Sequence, residues 1–117
     1  MKLYIDSTSN KKLILRMDSQ EKTFSFSTPR EQDILVTINI FLEELNLSLQ
    51  DVTSIEVVEG PGSFTSLRSG IAIAQALSFS LSVPINDQPP GTTIEAKYGK
   101  PPSISQPKKA YSATNDE

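Results

Sequence analysis

Histidine, cysteine and tryptophan are all absent from the 117 residues, and the first two absences close whole classes of chemistry. Without imidazole there is no histidine general acid or base and no Ser-His-Asp triad. Without thiols there is no cysteine nucleophile, no Cys or Cys/His zinc site and no disulfide framework. Long apolar runs are missing too: Met1-Lys2-Leu3-Tyr4-Ile5 meets Asp6 almost at once. Neither a secretion signal nor a membrane span is expected, and the chain reads as cytoplasmic. Basic charge is also in short supply, 11 Lys and Arg against 14 Asp and Glu. That balance gives no electrostatic reason for direct, tight binding of nucleic acid. At 12.8 kDa the chain has material for one modest core, and a two-lobed enzyme does not fit.

What is present is unevenly distributed. Of the 43 apolar residues, 36 fall in the first 85 positions and 7 in the last 32, where five of the eight prolines also lie: Pro89, Pro90, Pro101, Pro102 and Pro107. A segment so poor in apolar side chains does not offset its ordering entropy by burial. Two regions are therefore expected: a globular part over residues 1–85 and an extended or disordered Pro-rich tail over 86–117. The tail carries four Lys and four Asp or Glu, so the net charge of −3 belongs to the globular part.

Within residues 1–85, Lys2 to Asp6, Lys12 to Met17 and Lys22 to Ser27 read as a three-stranded meander joined by polar turns, with Phe24 and Phe26 on one face. Thr28-Pro29-Arg30-Glu31 predicts a helix start: a capping Thr, a proline whose missing N–H costs nothing, and Glu three residues after the cap. From Glu31 to Leu45, Ile34, Ile38, Phe41, Leu42 and Leu45 form an inward stripe, while Val36 and Ile40 fall on nearly the opposite side. Asn46 ends that helix, and Ile55 to Glu59 reads as a strand. Gly60-Pro61-Gly62 breaks the chain, and Ser63 or Thr65 caps a second helix to about Leu81. Its apolar arc, Phe64, Leu67, Ile71, Ala74 and Leu81 extended by Gly70, Ile73 and Leu77, covers about half the circumference. Ser66, Gly70, Ala74 and Ser78 recur every fourth position, small enough to admit another helix closely. Val83-Pro84-Ile85 begins a last short strand. The expectation is α/β: a mixed five-stranded sheet in the order β-β-β-α-β-α-β with two main helices.

That order, together with Gly60-Pro61-Gly62-Ser63-Phe64-Thr65-Ser66-Leu67-Arg68-Ser69-Gly70-Ile71, resembles the N-terminal lobe of the TsaB (YeaZ) family, whose usual pattern there is GPGSFTGLRIG. Ile5-Asp6-Ser7-Thr8, Ala74-Gln75-Ala76-Leu77-Ser78-Phe79 and Val83-Pro84-Ile85 support it, and Tyr98-Gly99-Lys100-Pro101-Pro102 is similar to a Tyr-x-Arg-Pro-Pro near the family's C-terminus. Ser66 stands where the family has Gly, and Ser69 where it has an apolar residue. The resemblance covers roughly residues 1–85. It implies one lobe of an actin-like ATPase (ribonuclease H-like) fold, with the second lobe missing.

The resemblance also implies a function in making threonylcarbamoyladenosine in tRNA, as a non-catalytic partner of a TsaD-like enzyme that would hold the ATP and the metal. A TsaE-like ATPase would be a third component, and tRNA would be met only through the complex. Val36, Ile40, Arg68, Gly70, Ile73, Ala74 and Leu77 are the expected interface residues. Two alternatives are a homodimer retaining weak nucleotide binding at Asp6, Ser7 and Thr8, where actin-like ATPases carry their first phosphate loop, and a structural remnant with no partner. The plainer reading of Asp6 to Thr8 is a turn whose side chains hydrogen-bond locally. Gly60 to Thr65 likewise reads as a strand-to-helix turn, since it lacks the Gly-Lys-Ser/Thr ending of a P-loop. Ser63 and Thr65 have no base in their motif to activate them. No catalytic residue and no metal or cofactor site is therefore expected in this chain.

Overall fold

The computed structural model describes residues 1–27 and 33–97. Strands β1 (Lys2–Asp6), β2 (Lys12–Met17) and β3 (Gln20–Ser25) form an antiparallel meander, because apolar side chains alternate along β1 and β2 and put Leu3, Ile5, Leu13, Leu15 and Met17 on one buried face. Tyr4, Ile14 and Arg16 occupy the other face, where the Arg16 guanidinium stacks 4.0 Å from the Tyr4 ring centre. The β2–β3 turn is tighter than expected. Met17 pairs with Gln20, and Asp18 supplies the positive φ of 52° that a two-residue hairpin needs, so β3 starts two residues early and ends at Ser25.

Helix α1 (Ile34–Glu44) then crosses over the sheet, and β4 (Ser54–Val57) returns parallel to β1, giving the order β3-β2-β1-β4. The expected start of α1 at Thr28 lies outside the described residues; the helix as described begins at Ile34, where the Asp33 carboxylate caps the Val36 N–H at 3.2 Å. Asn46, with φ 60°, ends it as expected. Ser48 and Asp51 form a reciprocal capping box around a single 3-10 turn, Leu49–Asp51. Helix α2 (Phe64–Leu81) packs on β4 and β1 and against α1. Ile34, Ile38, Phe41 and Leu42 from α1 and Leu67, Ile71, Ala74 and Leu77 from α2 close the core over the sheet.

Two expectations are corrected. Among the described residues the sheet has four strands and not five: Val83-Pro84-Ile85 forms one parallel bridge, Ile85 to Ile55, and goes no further. Pro84 has no N–H to donate, and Asn86 and Asp87 turn the chain away at φ 49° and 63°. The packed region also continues past Ile85 to Lys97, because Ile94 is buried in the core and Ala96 packs against it. Composition averaged over 32 residues hides one well-placed isoleucine. The Tyr98-Gly99-Lys100-Pro101-Pro102 segment lies outside the described residues.

Candidate functional site

Asp6, Ser7 and Thr8 leave β1 and are held by the start of α2. The Thr8 N–H and hydroxyl both donate to Asp6 Oδ1, at 3.0 and 2.7 Å, which is the local Asx turn of the plainer reading. The Ser63 N–H donates to the Thr8 carbonyl at 2.8 Å, and a Cβ on Gly62 would come within 2.7 Å of Thr8 Cα. Ser7 is fully buried, its hydroxyl without a hydrogen-bond partner and pressed onto Gly70, where a Cβ would collide with it. One hydroxyl is thus turned onto Asp6 and the other sealed under a helix. These residues do not fit a nucleotide phosphate or its metal. Among the described residues no group of acidic side chains is placed to hold a metal ion.

Gly60 to Thr65 is a tight entry to α2. Gly60 has φ 132°, and any Cβ there would run into the Lys97 carbonyl, so glycine is required by both backbone and space. Ser63 takes the N-cap position but makes no side-chain capping bond. Phe64 and Thr65 face outward, and the Arg68 guanidinium sits 5.2 Å from the Phe64 ring centre. Glu59, just before this loop, accepts from Asn86 Nδ2 at 2.9 Å and pairs with Lys97 Nζ at 3.1 Å. Those two donors hold its carboxyl below the ordinary value.

The helices present an outer face that the expected residues only partly describe. Val36 and Ile40 are exposed, at 51% and 44%, with Leu35 beside them at 39%. Arg68 is exposed and Ile73 half-buried against the core. Gly70, Ala74 and Leu77 are buried inside the lobe, so they are corrected from interface residues to packing residues. The stripe Ser66, Gly70, Ala74, Ser78 faces inward as well, with Ser66 and Ser78 buried. Small side chains there let α2 lie close on β1, where Gly70 meets Ser7. A second set of small residues was missed: Thr65, Ser69, Ala72, Ala76 and Ser80 are all exposed and recur at helical spacing on the outer side of α2. Setting the arc's centre by the large residues Leu67 and Ile71 alone would have found them.

Two exposed helix faces on a four-stranded mixed sheet invite comparison with known proteins. A family model described as TsaD, tRNA N6-adenosine threonylcarbamoyltransferase, matches residues 27–87, just over half of the chain. The chain belongs to this family, in its TsaB/YeaZ branch.

The matched span holds both helices, β4 and the GPGSFT turn. The TsaB/YeaZ assignment rests on relatives named as tRNA threonylcarbamoyladenosine biosynthesis protein TsaB. That of Bacillus subtilis (strain 168) is 27% identical over 89 residues, 62% of this chain and 39% of that protein. That of Escherichia coli (strain K12) is 41% identical over 59 residues, 49% of this chain and 26% of that protein. The solved structure of an uncharacterized Pseudomonas aeruginosa protein with similarity to peptidase YeaZ superposes with a TM-score of 0.60 at 28% identity, over 72% of this chain and 40% of that one. The chain thus spans about two fifths or less of these TsaB/YeaZ proteins.

Proposed function

We propose that this TsaB-like lobe serves tRNA threonylcarbamoyladenosine biosynthesis in the cytoplasm as an association partner and not as a catalyst. The observation that carries the reading is the outer face of the helix pair: exposed Leu35, Val36 and Ile40 on α1, and the exposed small-residue row of α2. Apolar side chains on one helix and small ones on the next give a surface that another helix pair can approach closely. Burying about 800 Å² per partner, a standard interface, is within reach of two helices of this length. The partner is a TsaD-like enzyme, which would hold the ATP and the metal, with a TsaE-like ATPase as a third component and tRNA met only through the complex.

The inward hydroxyls of Ser7 and Thr8 support the absence of a nucleotide role more than the homodimeric nucleotide-binding alternative. Co-expression with the cognate TsaD-like protein tests the proposal. Co-purification is expected, together with loss of the tRNA modification when the gene is removed. Failure to co-purify with the modification intact would refute it.

A further inference from the structure

We infer that Pro84–Lys97 is an edge-sealing strap, which covers the outer side of β4 and a flank of α2 with the chain's own backbone and the Asn86 side-chain amide and so closes that side of the sheet to another polypeptide strand. This does not rest on the partner reading above. The two edges of the sheet are protected differently. β3 carries Gln20, Glu21, Lys22 and Thr23, all exposed, and charge of both signs guards an edge by itself. β4 is Ser54-Ile55-Glu56-Val57, followed by Val58, with Ile55 and Val57 buried. A short β-branched strand with apolar side chains and free backbone groups is a template for pairing with another chain.

Every outward-pointing group of that template is taken. The Ile55 N–H donates to the Pro84 carbonyl at 2.9 Å, and the Asn86 N–H donates to the Ile55 carbonyl at 2.8 Å. Where the strand would continue, the Asn86 side chain takes over. Its Oδ1 accepts from the Val57 N–H at 2.8 Å and its Nδ2 donates to the Val57 carbonyl at 3.0 Å, so one primary amide stands in for the next residue of a parallel strand. Further along, the Lys97 N–H donates to the Glu59 carbonyl at 2.6 Å.

Between those two ends the strap is fastened to α2. The Gly91 N–H donates to Ser78 Oγ at 2.9 Å, the Ile94 N–H donates to Gln75 Oε1 at 2.5 Å, and Ile94 is 8% exposed within the core. The groove left beside β4, 390 Å³, is rimmed by Lys2, Glu56, Glu59, Asp87 and Lys97. Desolvating that rim disfavours entry of an apolar strand.

Hydrogen exchange and light scattering on the full chain test this, in an Ile40→Asp background so that the helix face does not contribute to association. Protected Ile55, Val57 and Lys97 amides are expected before any strap change. Asn86→Ala should speed exchange of the Val57 amide about tenfold or more while the β1–β2 amides hold, and should introduce concentration-dependent association. Gln75→Ala, which removes only the acceptor of the Ile94 N–H, should raise Ile94 exchange and decides the matter if Asn86→Ala does not fold. Unprotected Val57 and Lys97 amides in the starting protein would overturn the inference. So would raised Val57 exchange without association, or strap variants that leave Ile94 and Val57 exchange unchanged.

Discussion

Gly70 and Ser7 meet across the junction of β1 and α2, and their contact sets how close that helix lies to the sheet. A methyl on Gly70 would collide with the Ser7 hydroxyl and come within 2.7 Å of its Cβ. Gly70→Ala should therefore destabilise by roughly 1–3 kcal/mol through overpacking. Ser7 Oγ has no partner, and an unpaired buried hydroxyl costs about 1–3 kcal/mol of desolvation. Ser7→Ala should accordingly be neutral or raise the melting temperature, a result that differential scanning calorimetry on both variants would read directly. A clear fall in the Ser7→Ala melting temperature would mean that the hydroxyl is bonded after all. The pH dependence of stability also has a source at this scale. Lys97 and, after it, Asn86 lower the Glu59 pKa from its ordinary 4.5, so its contribution is present above that value and is lost as the pH falls through the lowered one. Melting from pH 7 to pH 3 should show a smaller acid-side loss for Glu59→Gln than for the unmodified chain.

The helices separate two isoleucines that the expected interface groups together. Ile40 is 44% exposed, so Ile40→Asp should change the stability of the isolated lobe by no more than about 0.5 kcal/mol while weakening capture of the TsaD-like partner. Ile73 packs against the core, so Ile73→Asp should cost the fold itself about 1–3 kcal/mol. Denaturant titration combined with a partner pull-down distinguishes the two. An Ile40→Asp variant that binds normally would remove α1 from the interface. The sequence specified β1 and β2 to the residue because alternation with one buried face has a single solution. It placed α2 closely, from a Ser63 or Thr65 cap to about Leu81, because Gly60-Pro61-Gly62 punctuates its start; the helix runs Phe64–Leu81 and Ser82, with φ 56°, ends it. The facing of α2 was less legible. Serine, alanine and glycine carry little hydrophobic signal, so the inner and outer rows of small residues look alike until the sheet is in place.

At the scale of the whole molecule, family membership was readable from the GPGSFT segment, whereas the end of the packed region was not. Ile94 reaches the core from a stretch otherwise rich in proline and polar residues, and its backbone is held there by acceptors distant in sequence, among them Gln75, 19 residues earlier. The same long-range packing bears on nucleotide binding. A phosphate loop works through hydroxyls and amides left free for the ligand. Here Thr8 spends its N–H and hydroxyl on Asp6, and α2 covers Ser7, so opening the loop would mean lifting α2 from β1. Isothermal titration of the whole chain with magnesium and ATP should therefore give no binding heat at about millimolar nucleotide, and a thermal scan under the same conditions no shift, since a ligand of the native state at concentrations well above its Kd must raise the melting temperature. A saturating shift would show that the loop opens without the lobe unfolding, and would favour the homodimeric nucleotide-binding alternative.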